Sequence, residues 1–270
     1  MSGGLQTRIE LNGAPATIDD LRPMLQTNYG HFSTMQVIDG CVRGLTLHLE
    51  RIEHATRELF GTPIDPDHVR ACIRHAVAGH STALSVRVNI FARSLDRTRP
   101  ADPAVADVLV MTGARASTPA APLRLKSFRY TRELPHIKHV GTFALFHYRR
   151  LAQQAGFDDA VFVDEDDCIS EGSIWNIGFH DEKSVVWPDA PQLTGISLQL
   201  LQAGLARAGL AGTTRRIRLA DLGGVRAAFF TNSSTPVQPV ASIDSTRFLL
   251  DPAAMEMLVR CYESNPPERV

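Results

Sequence analysis

Residues 168–179 read CISEGSIWNIGF and predict a strand, a glycine turn and a second strand. Glu171 stands at the end of the first of these strands, directly before Gly172. A carboxylate in this position is suited to keep a ring nitrogen protonated, as a cofactor that stores electrons requires. A plain hairpin turn would contain the same Glu-Gly pair, so the stretch alone leaves both interpretations open.

Amphipathic helices and short strands flank this hairpin on both sides. Apolar residues recur at helical spacing over 45–60, 142–155 and 195–208, and Asp-Pro pairs at 65–66 and 251–252 signal the starts of two further helices. Strands are predicted at 81–93, 106–112, 160–164, 168–170, 175–180, 184–187, 213–219, 227–231 and 237–243. Because strands outnumber helices and do not alternate strictly with them, the predicted fold class is α+β, or mixed α/β.

A stretch rich in Ala, Pro, Ser and Thr predicts the domain boundary. We expect a small N-terminal α/β domain at 1–113, an interdomain linker at 114–122 and a larger C-terminal α/β domain at 123–270.

The composition excludes several classes of protein. The formal net charge of −1 argues against binding to nucleic acid through a broad basic surface. No segment reaches the ~18 apolar residues of a membrane helix, and the first residues lack the pattern of a secretory signal. Four scattered cysteines without a CxxC pair indicate reduced thiols rather than a zinc site, so we expect a cytoplasmic protein without a metal.

Three further segments carry candidate chemistry. Lys138 lies between apolar Ile137 and Val140, where desolvation would favour a neutral, nucleophilic amine, although a surface lysine fits the same window. Residues 195–197 (GIS) begin a helix and offer backbone N–H groups and a hydroxyl to a phosphate, as an ordinary capped helix also would. Residues 231–234 (TNSS) follow an apolar strand and would either hold the same phosphate or form a simple turn.

In their order along the chain, these motifs resemble the class IV aminotransferases, the family of branched-chain aminotransferase, D-amino-acid aminotransferase and aminodeoxychorismate lyase. The resemblance covers nearly the whole chain, because it also includes residues 28–32 (NYGHF), 37–40 (VIDG) and 48–52 (HLERI). It implies the two-domain architecture of fold type IV enzymes, pyridoxal 5′-phosphate as the cofactor, and a homodimer.

The resemblance also implies a role for each matching residue. Lys138 would hold the cofactor as a Schiff base and act as a general base, and Glu171 would face the pyridine nitrogen. The other candidates for cofactor binding are Arg51, Ser173, Asn176, Ile196, Ser197, Thr231 and Asn232. Candidates for substrate contact are Tyr29, Phe32, Ser33, Thr34, Arg87 and Trp175, although residue types in such positions are more often packing residues than ligands.

The expected activity is the transfer of an amino group between an amino acid or amine and a 2-oxo acid. Two departures keep the subgroup open. Phe143 stands where many members have a tyrosine that supports the cofactor's phenolic oxygen, so another group or water must take that role. His139 follows Lys138 as in the lyase branch, which releases pyruvate from 4-amino-4-deoxychorismate. A catalytically silent scaffold without cofactor is a third alternative, and it conflicts with the intact Lys138, Glu171 and Arg51.

Overall fold

The computed structural model describes residues 7–80, 83–115, 121–181 and 184–270. Contacts within the chain divide these residues into two compact units. The first unit comprises the described residues up to 115 together with Ile137–Gly141 and Pro266–Val270, and the second comprises residues 121–136 and Thr142–Asn265. The predicted linker, 114–122, lies mostly outside the described residues.

The first unit is built on an antiparallel sheet. Its elements are β1 (Ile9–Leu11), β2 (Ala14–Pro15), α1 (Ile18–Thr27), β3 (His31–Val37), β4 (Cys41–Arg43), α2 (Leu45–Phe60), α3 (Pro66–Val77), β5 (Leu84–Phe91) and β6 (Asp107–Ala114). Five of these strands form a sheet in the order β2-β1-β6-β5-β3. Helices α2 and α3 bury their apolar stripes in one core with the inward-facing residues of β3, β5 and β6.

Side chains alternate across this sheet, so its two faces differ in chemistry. Met35, Val86 and Val88 point into the core shared with the helices. The residues between them, including Thr34 and Arg87, therefore project from the opposite face. This arrangement gives the sheet one apolar face and one face that carries polar side chains.

The second unit contains the hairpin with Glu171. Its elements are β7 (Leu123–Arg129), α4 (Phe143–Gln154), β8 (Asp159–Val163), β9 (Ile169–Gly172), β10 (Asn176–His180), β11 (Val185–Pro188), α5 (Ile196–Arg207), β12 (Gly212–Arg215), β13 (Ala227–Thr231), β14 (Gln238–Ile243), β15 (Thr246–Arg247) and α6 (Pro252–Glu263). The strands follow the order β12-β11-β10-β13-β14-β7-β8-β9, and β9 also pairs with β10. This last pairing closes six strands into a ring and sets Glu171 directly opposite Asn176.

Two short segments differ from the predicted domain division. The predicted second domain, 123–270, includes both Ile137–Gly141 and the C-terminal strand β16 (Pro267–Arg269), whereas contacts assign both to the first unit. The physical reason is backbone pairing, because β16 pairs with β4 and the 137–141 segment bonds to the start of β3.

Most predicted elements are present, and the predicted mixed fold class is confirmed. The predicted strand at 213–219 ends at Arg215, and a short 3₁₀ helix occupies Leu219–Gly224. The predicted strand at 81–93 begins at Leu84, and residues 81–82 lie outside the described part of the chain. Within the described ranges, no helix is long and apolar enough to span a membrane.

Candidate active site

Lys138 lies in the segment Ile137–Gly141 of the first unit. The backbone N–H of Phe32 donates to the carbonyl of Lys138 at 2.9 Å, and that of Val140 donates to the carbonyl of Gly30 at 2.9 Å. The Lys138 Nζ lies 4.9 Å from the centroid of the Phe32 ring. Backbone pairing therefore holds Lys138 beside β3, and its Nζ lies over an aromatic face.

Arg51 of α2 is tied to β3 through Ser33. Its Nη2 donates to Ser33 Oγ at 2.6 Å, and the same oxygen lies 2.7 Å from Nδ1 of His48. Burial, followed by the positive charges of Arg51 and Lys138, holds the pKa of His48 well below 6.5. His48 is therefore neutral near pH 7, and its Nδ1 accepts the proton of the Ser33 hydroxyl while that oxygen accepts from Arg51.

The guanidinium of Arg51 is incompletely paired. Its Nε is buried and has no hydrogen-bond partner among the described residues. Burial lowers the pKa of Arg51 to about 10. Since a buried cation without an acidic partner is costly, Arg51 is suited to an anion that the protein itself does not provide.

Three of the predicted substrate residues meet on the polar face of the first unit's sheet. Phe32 lies opposite Asn89 and Thr34 lies opposite Arg87 in the β3–β5 register. The Arg87 Cζ stands 3.5 Å from the Phe32 ring centroid, and Arg87 Nε donates to Asn89 Oδ1 at 3.0 Å. Burial lowers the pKa of Arg87, which pairs with no carboxylate within the described ranges. These contacts fix the guanidinium in place, and its other two nitrogens have no hydrogen-bond partner among the described residues.

The second unit holds Glu171 in a buried ion pair. Arg132 Nε donates to Glu171 Oε1 at 2.7 Å, and both side chains are almost fully buried. The other carboxylate oxygen accepts the backbone N–H of Leu193 at 3.3 Å. Asn176, the cross-strand partner of Glu171, donates its side-chain amide to the backbone carbonyl of Leu193. The carboxylate is thus fixed by two hydrogen bonds from separate parts of the chain, and Asn176 holds the residue that donates one of them.

Two hydroxyl groups of the second unit are buried without partners. Ser197 Oγ, in the first turn of α5, and Thr231 Oγ1, at the end of β13, have no hydrogen-bond partner in the part of the chain that the structure describes. The N–H groups of Ile196 and Ser197 belong to the first turn of α5 and therefore have no acceptor within the helix. The N-cap residue, Gly195, has no side chain that could accept from them. Asn232 instead shapes its own turn, because its Oδ1 accepts the N–H groups of residues 234 and 235.

Three other predicted site residues, Tyr29, Ser173 and Trp175, donate hydrogen bonds within their own unit. The Tyr29 hydroxyl donates to the carbonyl of Leu59 at 3.0 Å. Ser173 Oγ donates to Asp159 Oδ1 at 2.5 Å, and Trp175 Nε1 donates to Asp159 Oδ2 at 3.0 Å. These two bonds fix the turn between β9 and β10, and therefore the position of Glu171. The roles that the sequence predicts for these residues in direct ligand contact stay predictions.

Comparison with known families settles the affiliation of the chain. The family model for class IV amino-transferases matches residues 30–243. The chain belongs to the class IV aminotransferase family. The family predicted from the order of the motifs is thereby confirmed. A comparison with curated proteins finds no match.

Solved structures share the fold of this class IV aminotransferase at low sequence identity. A branched-chain aminotransferase from Thermoproteus uzoniensis, with norvaline, superposes with a TM-score of 0.85 at 16% identity, over 97% of this chain and 99% of that one. A PLP-bound hypothetical aminotransferase from Mycobacterium tuberculosis gives 0.80 at 19% identity, over 96% and 98%. A putative 4-amino-4-deoxychorismate lyase from Legionella pneumophila gives 0.81 at 20% identity, over 94% and 96%. The fold is therefore common to both branches.

The departure at Phe143 is visible in this class IV aminotransferase. Phe143 begins α4 with 82% of its side chain exposed, and its ring stacks on His147 at 5.7 Å between centroids. It has no hydroxyl, so support for a phenolic oxygen must come from elsewhere. No group of three potential metal ligands is present among the described residues.

Three residues that shape the candidate site were not predicted from the sequence. Arg132 lies in the loop after β7, and nothing in its neighbourhood signals that it pairs with Glu171. His48 is part of the HLERI motif, but its bond to Ser33 depends on packing of α2 against β3. Asn89 lies two residues from Arg87, and this spacing on a strand was the signal available for placing both on one face.

Proposed function

We propose that this class IV aminotransferase binds pyridoxal 5′-phosphate and transfers an amino group between an amino acid or amine and a 2-oxo acid. The observation that carries the proposal is the pair of buried hydroxyl groups, Ser197 Oγ and Thr231 Oγ1, that have no partner within the described residues. Both lie in motifs that the family uses for the cofactor phosphate. Phosphate oxygens are strong hydrogen-bond acceptors and would satisfy both groups.

The donor set of the chain fits the cofactor. The N–H groups of Ile196 and Ser197, the two orphan hydroxyl groups and the guanidinium of Arg51 would hold the phosphate. Lys138 would hold the aldehyde carbon covalently through Nζ, and Glu171 would hold a proton on the pyridine nitrogen. When bound, the cofactor supplies an electron sink for the substrate's α-carbon.

The chain's own residues then move the protons. Lys138 Nζ would accept the proton from the α-carbon of the substrate and hold it for return to the product, which is the role of a general acid–base catalyst. Arg132 compensates the buried charge of Glu171 and fixes the carboxylate, which would then accept the hydrogen bond of the protonated pyridine nitrogen. Arg87 and Thr34, on the polar face of the first unit's sheet, would contact the substrate, with Phe32 supporting Arg87.

A second activity is supported by two features of the chain. His139 follows Lys138, and Asn232 opens the turn after β13, as in the lyase branch. In a 4-amino-4-deoxychorismate lyase, the same lysine and acid would assist loss of pyruvate without an amino acceptor. The two activities therefore differ in whether product formation depends on a 2-oxo acid.

Two exposed phenylalanine side chains on α4 support a homodimer. Phe143 and Phe146 lie near each other on α4 with 82% and 57% of their side chains exposed. Contact with a second copy would remove this apolar surface from water. We expect sedimentation to show a dimer, and we expect the protein to act in the cytoplasm on small-molecule donors and acceptors.

The decisive test is covalent capture of the cofactor. Protein loaded with pyridoxal 5′-phosphate is reduced with borohydride, and mass spectrometry locates the modified residue. We expect the modification on Lys138, and we expect Lys138→Ala to lose the visible absorption band and all turnover. Lys126→Ala is the matched control, because Lys126 pairs with Asp244 at 2.7 Å and should leave both unchanged. An unmodified Lys138 would refute the proposal.

The transaminase and lyase activities are distinguished by their products. The loaded enzyme is incubated with a panel of amino donors plus pyruvate or 2-oxoglutarate, and separately with 4-amino-4-deoxychorismate. Amino transfer that depends on the 2-oxo acid supports the transaminase. Release of pyruvate and 4-aminobenzoate without an acceptor supports the lyase instead.

A further inference from the structure

Asn176 and Glu171 are directly opposite each other where β9 pairs with β10. Both side chains are buried, with 5% and 3% of their surface exposed. Their side chains reach the same residue, Leu193, which lies two residues before the N-cap of α5. Glu171 Oε2 accepts the Leu193 N–H at 3.3 Å, and Asn176 Nδ2 donates to the Leu193 carbonyl at 2.6 Å. One cross-strand pair therefore holds both polar groups of a single backbone residue.

The amide of Asn176 is used inside the protein. Besides the Leu193 carbonyl, its Nδ2 donates to Gln192 Oε1 at 2.9 Å. Both N–H bonds of the amide therefore have acceptors in residues 192–193. The sequence predicts that Asn176 contacts the cofactor, whereas these bonds direct its amide to the segment that leads into α5.

Gly195 brings the start of α5 against the same side chain. A β-carbon placed on Gly195 would lie 2.1 Å from Asn176 Oδ1, a distance that no packed side chain tolerates. The glycine is therefore required by close approach rather than by a left-handed backbone, since its φ is −67°. The first turn of α5, with Ser197, begins directly from this contact.

We propose that Asn176 is a positioning residue that joins the phosphate-binding turn of α5 to the acid Glu171. This inference rests on the proposed function, because it assigns the two joined parts to one cofactor. A shift of Leu193 or Gly195 moves the N–H groups of Ile196 and Ser197, and the same shift removes a hydrogen bond from Glu171. Loss of Asn176 therefore disturbs phosphate binding and the environment of the acid together.

The first test measures cofactor binding rather than turnover. Apo-protein is titrated with pyridoxal 5′-phosphate and, separately, with inorganic phosphate, and the pH midpoint of the visible absorption band is recorded for the loaded protein. Asn176→Ala should weaken both ligands by at least about tenfold, which corresponds to one lost hydrogen bond. The pH midpoint of the band should also move, because Glu171 loses its fixed position.

Asn265→Ala is the matched control for lost stability. Asn265 is a buried asparagine of the same unit, 6% exposed, and donates to the backbone carbonyls of Leu200, Cys261 and Tyr262. Its loss should lower the urea midpoint and leave both affinities and the pH midpoint unchanged. If Asn176→Ala behaves like Asn265→Ala in all three readouts, Asn176 has only a structural role and the inference is wrong.

A double-mutant cycle tests the contact with Gly195. Gly195→Ala should weaken cofactor binding strongly in the wild-type background, because its methyl group collides with Asn176 Oδ1. In the Asn176→Ala background that oxygen is absent, so the same methyl group should cost at least about tenfold less in affinity. Equal costs in the two backgrounds would overturn the proposed coupling.

A same-shape variant covers the case in which Asn176→Ala does not fold. Asn176→Asp keeps the oxygen beside Gly195 but replaces the donor to the Leu193 carbonyl with an acceptor, so it should also weaken the binding of both ligands. Unchanged binding in Asn176→Asp would overturn the inference. If wild-type protein binds no pyridoxal 5′-phosphate, the proposed function fails instead, and this outcome is distinct from normal wild-type binding with unaffected Asn176 variants.

Discussion

The two units differ in whether their buried charged side chains have a partner of opposite charge. In the second unit, Glu171 is buried with Arg132 as an ion pair at 2.7 Å. In the first unit, Arg51 and Arg87 have lost water without gaining a carboxylate among the described residues, and burial lowers the pKa of both. One unit therefore contains a neutralised charge pair, and the other contains buried cations without a carboxylate partner among the described residues.

From this difference we predict what a negatively charged cofactor or substrate would contribute to the protein. A buried pair is stable as long as both partners remain, and it becomes strongly destabilising when one is removed. An unpaired buried cation has already lost its hydration when the protein folds. An anion that binds to it therefore gains charge-assisted hydrogen bonds without desolvating the cation again, which increases the binding affinity. Matched substitutions in the two units should therefore have opposite effects on stability and on binding.

The largest expected effect is on the buried pair. Arg132→Met leaves Glu171 buried and uncompensated, so the free energy of unfolding in urea should fall by about 3–5 kcal/mol. Adding Glu171→Gln should restore part of this loss. Arg129→Met is the control, because the exposed pair of Arg129 with Asp167 should contribute less than about 1 kcal/mol. Equal losses in the two single variants would break the comparison.

Arg51→Met should show the reverse behaviour. No buried carboxylate is left behind, so the stability of the apo-protein should change by less than about 1 kcal/mol. Affinity for pyridoxal 5′-phosphate should fall by about 10- to 100-fold, since hydrogen bonds to charged groups contribute about 1.5–3 kcal/mol. Titration of the apo-protein and urea unfolding measure the two quantities. A stability loss as large as that of Arg132→Met would show that Arg51 is already compensated within the protein.

Arg87→Met tests whether the second unpaired cation of the first unit binds the carboxylate of the substrate. Amino-acid donors should lose about 10- to 100-fold in kcat/KM, because their carboxylate loses a charged hydrogen-bond donor. Amine donors without a carboxylate should be nearly unaffected. Arg93→Met is the control, since Arg93 pairs with Asp20 and Asp107 and should leave the kinetics unchanged. A uniform loss across both donor classes would assign Arg87 to packing.

A further expected effect is the pH dependence of the first unit's stability. Burial, followed by the charge of Arg51, lowers the pKa of His31 from 6.5 to about 3. As the pH falls below 6.5, the unfolded chain binds a proton that the folded protein does not, so stability decreases until about pH 3. His31→Asn should reduce this slope by about 1.4 kcal/mol per pH unit. Urea unfolding between pH 6 and 4 measures it, and an unchanged slope would contradict the assignment.

Local patterns predicted the helices well. Helix α2 occupies Leu45–Phe60 and ends before Gly61, as its apolar spacing indicated. Helix α3 begins at Pro66, and the side chain of Asp65 caps it. The order of the motifs also predicted the family, because each motif is contiguous in sequence. These features depend on residues only a few positions apart, so the chain itself carries the signal.

Elements with weak local signals were missed. Helix α1, Ile18–Thr27, has a capping box at Thr17, but it contains Pro23 and buries no residue fully. Strand β7, Leu123–Arg129, follows the predicted linker and interleaves charged residues with apolar ones. Strand β16 has only three residues and exists through its pairing with β4. Each depends on distant partners, which local propensity does not specify.

The amino-acid sequence by itself determined the family, the mixed fold class and the residue types that suit cofactor chemistry. Only the tertiary structure decided which charges are neutralised, because Arg132 and Glu171 are brought together by strands and loops far apart in sequence. It also decided that Arg51 donates a hydrogen bond to Ser33, and that the amide of Asn176 donates to the backbone carbonyl of Leu193. Hydrogen bonds and desolvation depend on distances of a few ångströms, and long-range pairing rather than local pattern sets those distances.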